Sequence, residues 1–169
     1  MLLTIFLAVV FCASITLMMI AAVAFIQDKK MFSSAPKEAQ EVIIQRDKEL
    51  FYGARNLGYV LMLFSIVMIL GVFIISCWDA VRSGYSFWQT FARFMIILVI
   101  YKAYDMIFFD YYMLMKFHFF QYYFPEVEPV FENRKYGFNI VSQVVKLFIF
   151  FPIISAVLAE ICSMLGTII

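Results

Sequence analysis

Long apolar stretches alternate with shorter polar ones along the whole chain. Leu2 to Ile26 is a run of 25 residues without a charged side chain, and Gly58 to Cys77 is a second such run of 20 residues. Phe91 to Met115 and Val141 to Ile169 are also mainly apolar. A transmembrane helix needs roughly 20 consecutive apolar residues. The pattern therefore predicts an all-α, polytopic membrane protein built as a four-transmembrane-helix bundle.

The predicted spans and loops form a single membrane domain over residues 1–169. The spans are residues 2–26, 58–77, 91–115 and 145–169, and the two long loops are residues 27–57 and 116–144. The first span has a rival interpretation as a cleavable leader, because Ala22-Val23-Ala24 resembles a cleavage site. No Lys or Arg precedes the run, and the run is longer than the apolar part of a leader, so we expect it to be retained.

The first loop carries the pattern of an amphipathic helix. Pro36 suits the first turn of a helix, and the residue before a proline avoids helical angles. Apolar residues then recur at helical spacing, at Val42, Ile43, Leu50 and Ala54. The sequence predicts a juxtamembrane helix that starts at Pro36 and continues into the second span.

Composition and charge support the membrane interpretation and set the orientation. The chain is 65% hydrophobic and 15% charged, whereas soluble domains are about half apolar and a quarter charged. The lipid bilayer is thus the expected partner, and the absence of a basic block argues against nucleic acid.

The distribution of Lys and Arg predicts the orientation in the cell membrane. Because cytoplasmic loops are enriched in these residues, we expect the two long loops to be cytoplasmic and both termini to face outward. The basic residues of the first loop are Lys29, Lys30, Lys37, Arg46, Lys48 and Arg55. Those of the third loop, which joins the third and fourth spans, are Lys116, Arg134, Lys135 and Lys146. The opposite side of the membrane has only Arg82 and Arg93.

The motifs of common enzymes and metal sites do not occur in the sequence. There is no G-x-S-x-G, P-loop or H-E-x-x-H pattern, so no catalytic residue, cofactor or metal ligand is assigned. The three cysteines, Cys12, Cys77 and Cys162, lie far apart. We expect each to behave as a small buried hydrophobic residue, with a disulfide between Cys77 and Cys162 as the alternative.

The third span contains the unusual chemistry, because it holds Lys102, Asp105 and Asp110. At 1.5 Å per residue, Lys102 lies roughly 16 Å from the start of the span, near the bilayer midplane. On an α-helical wheel the three ionisable residues share one broad face. The candidate cluster also includes residues whose hydroxyl or carboxylate lies within reach: Tyr101, Tyr104 and Glu160.

Two interpretations of this cluster remain open from the sequence. Lys102 and Asp105 are three residues apart, so they can form a structural ion pair on one helix, with Glu160 completing it or pairing with Arg93. Alternatively, intramembrane ionisable groups mark binding sites and proton paths. Desolvation costs several kcal/mol per ion, about as much as pairing returns, and this favours a functional role over a purely structural one.

The pattern Tyr104-Asp105-x-x-x-x-Asp110, followed by Phe124-Pro125-Glu126 and a closing apolar helix, resembles small four-span bacterial membrane proteins of unassigned function. The likeness covers about residues 100 to 169. Those proteins carry paired aspartates in an aromatic third span and a "PGTE"-like turn, and here the turn reads Phe-Pro-Glu-Val-Glu. The resemblance implies an integral membrane protein and no particular activity.

The sequence leaves three function classes. The favoured one is a non-enzymatic protein, in transport or in a membrane complex, that binds a small solute or partner helices through the charged cluster. In the second, a membrane-embedded enzyme acts on a lipid or isoprenoid with Asp105 and Asp110. The third is a purely structural subunit. Another membrane subunit or a second copy of the chain is the expected protein partner.

Overall fold

The computed structural model describes residues 1–32, 37–46, 48–132 and 140–168. Every secondary-structure element in these ranges is helical, which confirms the all-α prediction. Two sequence-based predictions, the helix start at Pro36 and the final residue of the fourth span, fall outside the described residues. The charges of Arg134 and Lys135 fall outside them too.

The first span is one continuous helix. The α-helix α1, Leu2–Ile20, passes into a π-helical segment, Ala21–Ile26. Gln27 ends the helix in the left-handed conformation (φ 55°), and its N–H donates to the carbonyl of Ala22. A short 3₁₀ turn, Lys29–Phe32, follows. The left-handed residue turns the chain away from the helix axis immediately after the apolar run ends.

The amphipathic helix of the first loop is much shorter than the sequence predicted. Helix α2 covers Lys37–Val42, and the described residues between it and Ala54, 43–46 and 48–53, are not helical. The backbone N–H of Ile44 donates to Glu126 Oε1 at 3.0 Å instead of to a helical carbonyl. Distant side chains thus take the hydrogen bonds that a continued helix would use, so the prediction of continuity into the second span was wrong.

The helical runs over the second, third and fourth predicted spans are longer than the spans themselves. Helix α3 is Ala54–Arg82, and helix α4 is Phe87–Tyr104, which continues as a π-helix over Asp105–Lys116. The short helices α5, Phe119–Tyr123, and α6, Glu128–Phe131, flank a 3₁₀ turn at Pro125–Val127. The last helical run consists of α7, Ile140–Val145, a π-helical segment, Lys146–Phe150, and α8, Phe151–Ile168. Apolar residues set the predicted spans, whereas the hydrogen-bonded helices extend several residues into polar sequence.

Three helical stretches are long and apolar enough to cross a membrane: Leu2–Ile26, Ala54–Arg82 and Val141–Thr167. They match the first, second and fourth predicted spans. The third predicted span is helical, but its Arg, Lys and Asp residues make it less apolar than these three. In each of Ala54–Arg82 and Val141–Thr167, only 17% of the residues in an apolar 18-residue segment are buried in the protein. These helices therefore expose mostly apolar surface.

The chain divides into two compact units. The first unit comprises Met1–Ala13, Val67–Asp105 and Phe138–Ile169, and within it α4 packs against α8. The second unit comprises Ser14–Ile66 and Met106–Gly137. Its core is a cluster of apolar side chains from both of its chain segments: Val23, Phe32, Ala39, Ile43, Leu114, Phe124, Val127 and Phe131.

Candidate functional site

Helix α4 positions the candidate site in the first unit. Ser86 begins the helix with a capping box, in which its N–H donates to Gln89 Oε1 (2.9 Å) and Gln89 N–H donates to Ser86 Oγ (3.4 Å). This cap fixes where the helix starts. The buried face of α4 then carries two basic residues among apolar ones: Thr90, Arg93, Phe94, Ile97, Leu98 and Lys102.

Lys102 and Asp105 form an ion pair on this face. Lys102 Nζ donates a hydrogen bond to Asp105 Oδ2. The Lys102 side chain is 6% exposed and the Asp105 side chain 21% exposed, so the cation is enclosed and the carboxylate remains partly accessible. The pair predicted from the i,i+3 spacing therefore forms.

The pair lies where the helix changes its hydrogen-bonding register. Tyr104 is the last residue of α4, and Asp105 is the first residue of the π-helix. The Asp105 N–H donates to the carbonyls of both Tyr101 and Lys102. π-Helical turns within α-helices occur frequently at functional sites. The register change also means that the α-helical wheel angle used to place Asp110 does not apply beyond Asp105.

The other predicted site residues have different environments. Tyr101 is half-buried, and its ring packs edge-on against Phe11 with centroids 5.1 Å apart. Tyr104 is also half-buried. Asp110 is half-buried in the second unit, whereas the ion pair belongs to the first. The structure thus places the two tyrosines on the same helix as the pair.

Glu160 is exposed on α8. The buried face of that helix carries Ser155, Ala159 and Cys162 instead. Among the residues that the structure describes, no ion pair to Glu160 is formed. Glu160 therefore does not complete the Lys102–Asp105 pair, because its side chain lies on a different face of α8 from the residues that pack inward.

Arg93 forms a second buried ion pair, with Asp79 rather than with Glu160. Arg93 Nη1 lies 2.7 Å from Asp79 Oδ2 and donates to the carbonyl of Ser76 at 3.2 Å. Its guanidinium carbon lies 4.5 Å from the centroid of the Tyr85 ring. The Arg93 side chain is only 3% exposed, so a cation–π contact and a carboxylate together balance its charge.

A third ion pair, in the second unit, was missed by the sequence reasoning. Arg46 Nη2 lies 2.7 Å from Glu126 Oε2 and also donates to the carbonyl of Tyr123 at 3.3 Å. Glu126 Oε1 accepts the N–H of Ile44. The pair joins residues 80 positions apart, and no local pattern signals so distant a partner. We call this contact between the first and third loops the loop clasp.

Two of the three cysteines form a disulfide. Cys77 near the end of α3 is bonded to Cys162 of α8, with the Cα atoms 5.5 Å apart, a usual separation for a disulfide. Cys12 is buried and takes no part in the bond. The expectation that each cysteine is a simple buried hydrophobic residue was thus wrong for Cys77 and Cys162, and the alternative is what the structure contains.

Metal sites and cavities add no further candidate in the described part of the chain. No group of three or more His, Cys, Asp or Glu side chains there is arranged to hold a metal ion. An open surface depression of about 480 Å³ lies in the second unit, lined by Glu49, Phe51, Tyr52, Gly53 and Asn56. None of these residues belongs to the predicted site.

Comparison with known proteins gave no match to a family model, a curated protein or a solved structure.

Proposed function

We propose that this chain is a four-span integral membrane protein that binds a partner helix at Asp105 and belongs to a membrane complex. The observation that carries the proposal is the buried Lys102–Asp105 pair, whose carboxylate keeps partial access to the surroundings while its cation is enclosed. A partly accessible carboxylate inside a membrane accepts hydrogen bonds from donor side chains of a neighbouring helix. The ligand is therefore a helix that carries such a donor.

The loop clasp supports the fourth span. Arg46 precedes α3 and Glu126 follows the helix over Phe87–Lys116, and the two side chains are in contact. Residues in contact lie on the same side of the membrane. If α3 crosses once between them, a second crossing is needed to return, and the helix over residues 87–116 supplies it.

The disulfide supports the same threading by an independent route. Cys77 lies near the C-terminal end of α3 and Cys162 near that of α8. If only α8 crossed the membrane between these residues, they would lie near opposite faces. An additional crossing by residues 87–116 brings them to one face, where the bond joins them. Both termini then lie on that face, outward by the Lys and Arg distribution.

Exposed apolar side chains support a location in the membrane. Helix α8 exposes Ile153, Val157, Ile161 and Met164, and α3 exposes several large side chains in the same way. Lipid or other helices cover such surfaces in a membrane. Tyr101 lies one turn before Asp105 on the same face of the helix and is half-buried, so a probe at that position reports what lies beside the carboxylate.

Site-specific photo-crosslinking in native membranes tests the proposal. A benzophenone amino acid at Tyr101 should give adducts to a polypeptide, either another membrane protein or a second copy of this chain. The double variant Lys102→Met with Asp105→Leu should abolish those adducts, because it removes the acceptor oxygens without leaving a buried cation.

The matched control carries the same probe at Ile153 of α8, where the adduct pattern should not change in the double variant. Binding at Asp105 is refuted if the Tyr101 adducts persist without the carboxylate, or if the probe at Tyr101 captures only lipid.

A further inference from the structure

The disulfide occupies one end of the first unit. Cys77 is followed directly by exposed Trp78 and by Asp79, the partner of Arg93. One turn beyond Cys162, the Cα of Gly166 faces Val81 closely enough that an added methyl would lie 3.8 Å from Val81 Cγ1. Tryptophan and charged residues are typical of the membrane–water boundary. The bond therefore lies at a membrane surface rather than in the hydrocarbon interior.

The two bonded cysteines, Cys77 and Cys162, differ in how exposed their side chains are. Cys162 is 3% exposed, whereas Cys77 is half-buried. Thiol–disulfide exchange requires a thiolate to reach a sulfur of a disulfide. Before the bond forms, Cys77 is the residue that an external protein reaches, and Cys162 is reached only by its neighbour Cys77.

The presence of this bond carries information about the compartment. Disulfides persist in oxidising compartments and are rare in the cytosol. The end of the first unit that contains Cys77 and Cys162 therefore faces an oxidising compartment. This assignment agrees with the Lys and Arg distribution but does not depend on it, and it rests on the four-span threading proposed above.

We infer that the outward end of this protein is a substrate of a disulfide-donating thiol oxidoreductase, which engages Cys77 first. The Cys77 thiolate attacks the donor disulfide, forms a mixed disulfide and releases one donor thiol. The Cys162 thiolate then attacks the Cys77 sulfur and displaces the donor as its second thiol. Two cysteine thiols and one donor disulfide become one protein disulfide and two donor thiols, so two electrons and two protons pass to the donor.

Thiol trapping in whole cells tests this inference. All variants carry Cys12→Ala, so that only Cys77 and Cys162 report. After an acid quench, the parent should add no maleimide–polyethylene glycol until it is reduced, and two groups afterwards. Cys162→Ser should accumulate a reductant-sensitive adduct with a second protein, because the mixed disulfide cannot resolve. The matched variant Cys77→Ser should lose that adduct, because Cys162 is shielded.

Three results would overturn the inference: two reactive thiols in the untreated parent, equal adducts from both single variants, or an adduct from Cys77→Ser alone. A Ser83→Cys probe in a background lacking the other cysteines reports orientation separately. If Ser83→Cys reacts from outside while Cys77 and Cys162 remain thiols, the oxidation inference fails and the threading stands. If Ser83→Cys reacts only from the cytoplasm, both fail.

Discussion

The basic residue is the more buried partner in both ion pairs of the first unit. Arg93 and Lys102 are 3% and 6% exposed, whereas Asp79 and Asp105 are 32% and 21% exposed. Losing a carboxylate therefore leaves an enclosed cation, whereas losing a cation leaves a carboxylate that the protein encloses only in part. Removing one partner of a buried pair is much more costly than replacing both.

The Lys102–Asp105 pair gives a double-mutant prediction. Asp105→Asn should destabilise the protein by about 3–5 kcal/mol, because Lys102 remains charged and buried. Lys102→Met should cost less, and the double variant should recover much of either loss. Thermal unfolding of the four proteins in detergent measures this coupling. Equally harmless single and double substitutions would mean that Lys102 is not buried with a partner.

Glu160 provides the matched control at the residue scale. Its side chain is exposed and outside the pair, so Glu160→Gln should change the free energy of unfolding by no more than about 0.5 kcal/mol. It should also leave the cost of Lys102→Met unchanged, because distant independent sites add. Non-additivity between Glu160→Gln and Lys102→Met would show that Glu160 does contribute to the cluster.

Among the helices, α3 makes a close approach at its N-terminal end. A methyl group added at Gly58 would lie 2.7 Å from Ile26 Cγ1 and 2.9 Å from Phe25 Cβ. Real side-chain atoms do not approach so closely, so the two segments must move apart. The absence of a side chain at Gly58 thus permits the contact between α3 and the π-helical end of the first span.

Two glycines in one helix provide a matched pair of substitutions. Gly58→Ala should destabilise by about 1–3 kcal/mol, the usual cost of overpacking. Gly71→Ala meets nothing within 4 Å and should be neutral or stabilise by up to about 1 kcal/mol, because alanine favours the helix. Thermal melting of both variants in the same detergent decides the matter. A similar melting temperature for the two would argue against the close approach.

The helices themselves could be predicted from the apolar runs, but their ends and register changes could not. The run of uncharged residues places Leu2–Ile26 correctly. By contrast, α2 stops at Val42 because Glu126, far away in sequence, accepts the N–H of Ile44. The register changes at Asp105 and before Pro152 were also not predicted. Proline has no N–H to donate, which suits a local change of register, but sequence spacing alone does not specify where it occurs.

The contacts of the candidate site could also be predicted only in part from the sequence. Lys102 and Asp105 are three residues apart on one helix, so their pairing follows from local geometry. Glu160 was considered as a partner of Lys102 or of Arg93 because of its expected depth in the membrane. Depth does not specify which face of a helix a side chain occupies. The Arg46–Glu126 and Cys77–Cys162 contacts join residues 80 and 85 positions apart, and such pairings depend on the whole arrangement of helices.

For the molecule as a whole, the proposed threading depends on how many times the chain crosses the membrane. The loop clasp and the disulfide both favour a crossing by the helix over residues 87–116, although this helix is less apolar than the other three. Without that crossing, the region after Lys116 would lie on the same side as the loop between α3 and α4. The two threadings therefore make opposite predictions for an exposed residue beyond Lys116.

The most direct measurement is the sidedness of His118 relative to Ser83, both of which are exposed. Single cysteines at these positions, in a background without other cysteines, are treated in intact cells with a membrane-impermeant maleimide. The four-span account predicts that Ser83→Cys reacts at once and that His118→Cys reacts only after the membrane is permeabilised. Reaction of both residues in intact cells would contradict the third crossing and, with it, the placement of Lys102 and Asp105 inside the membrane.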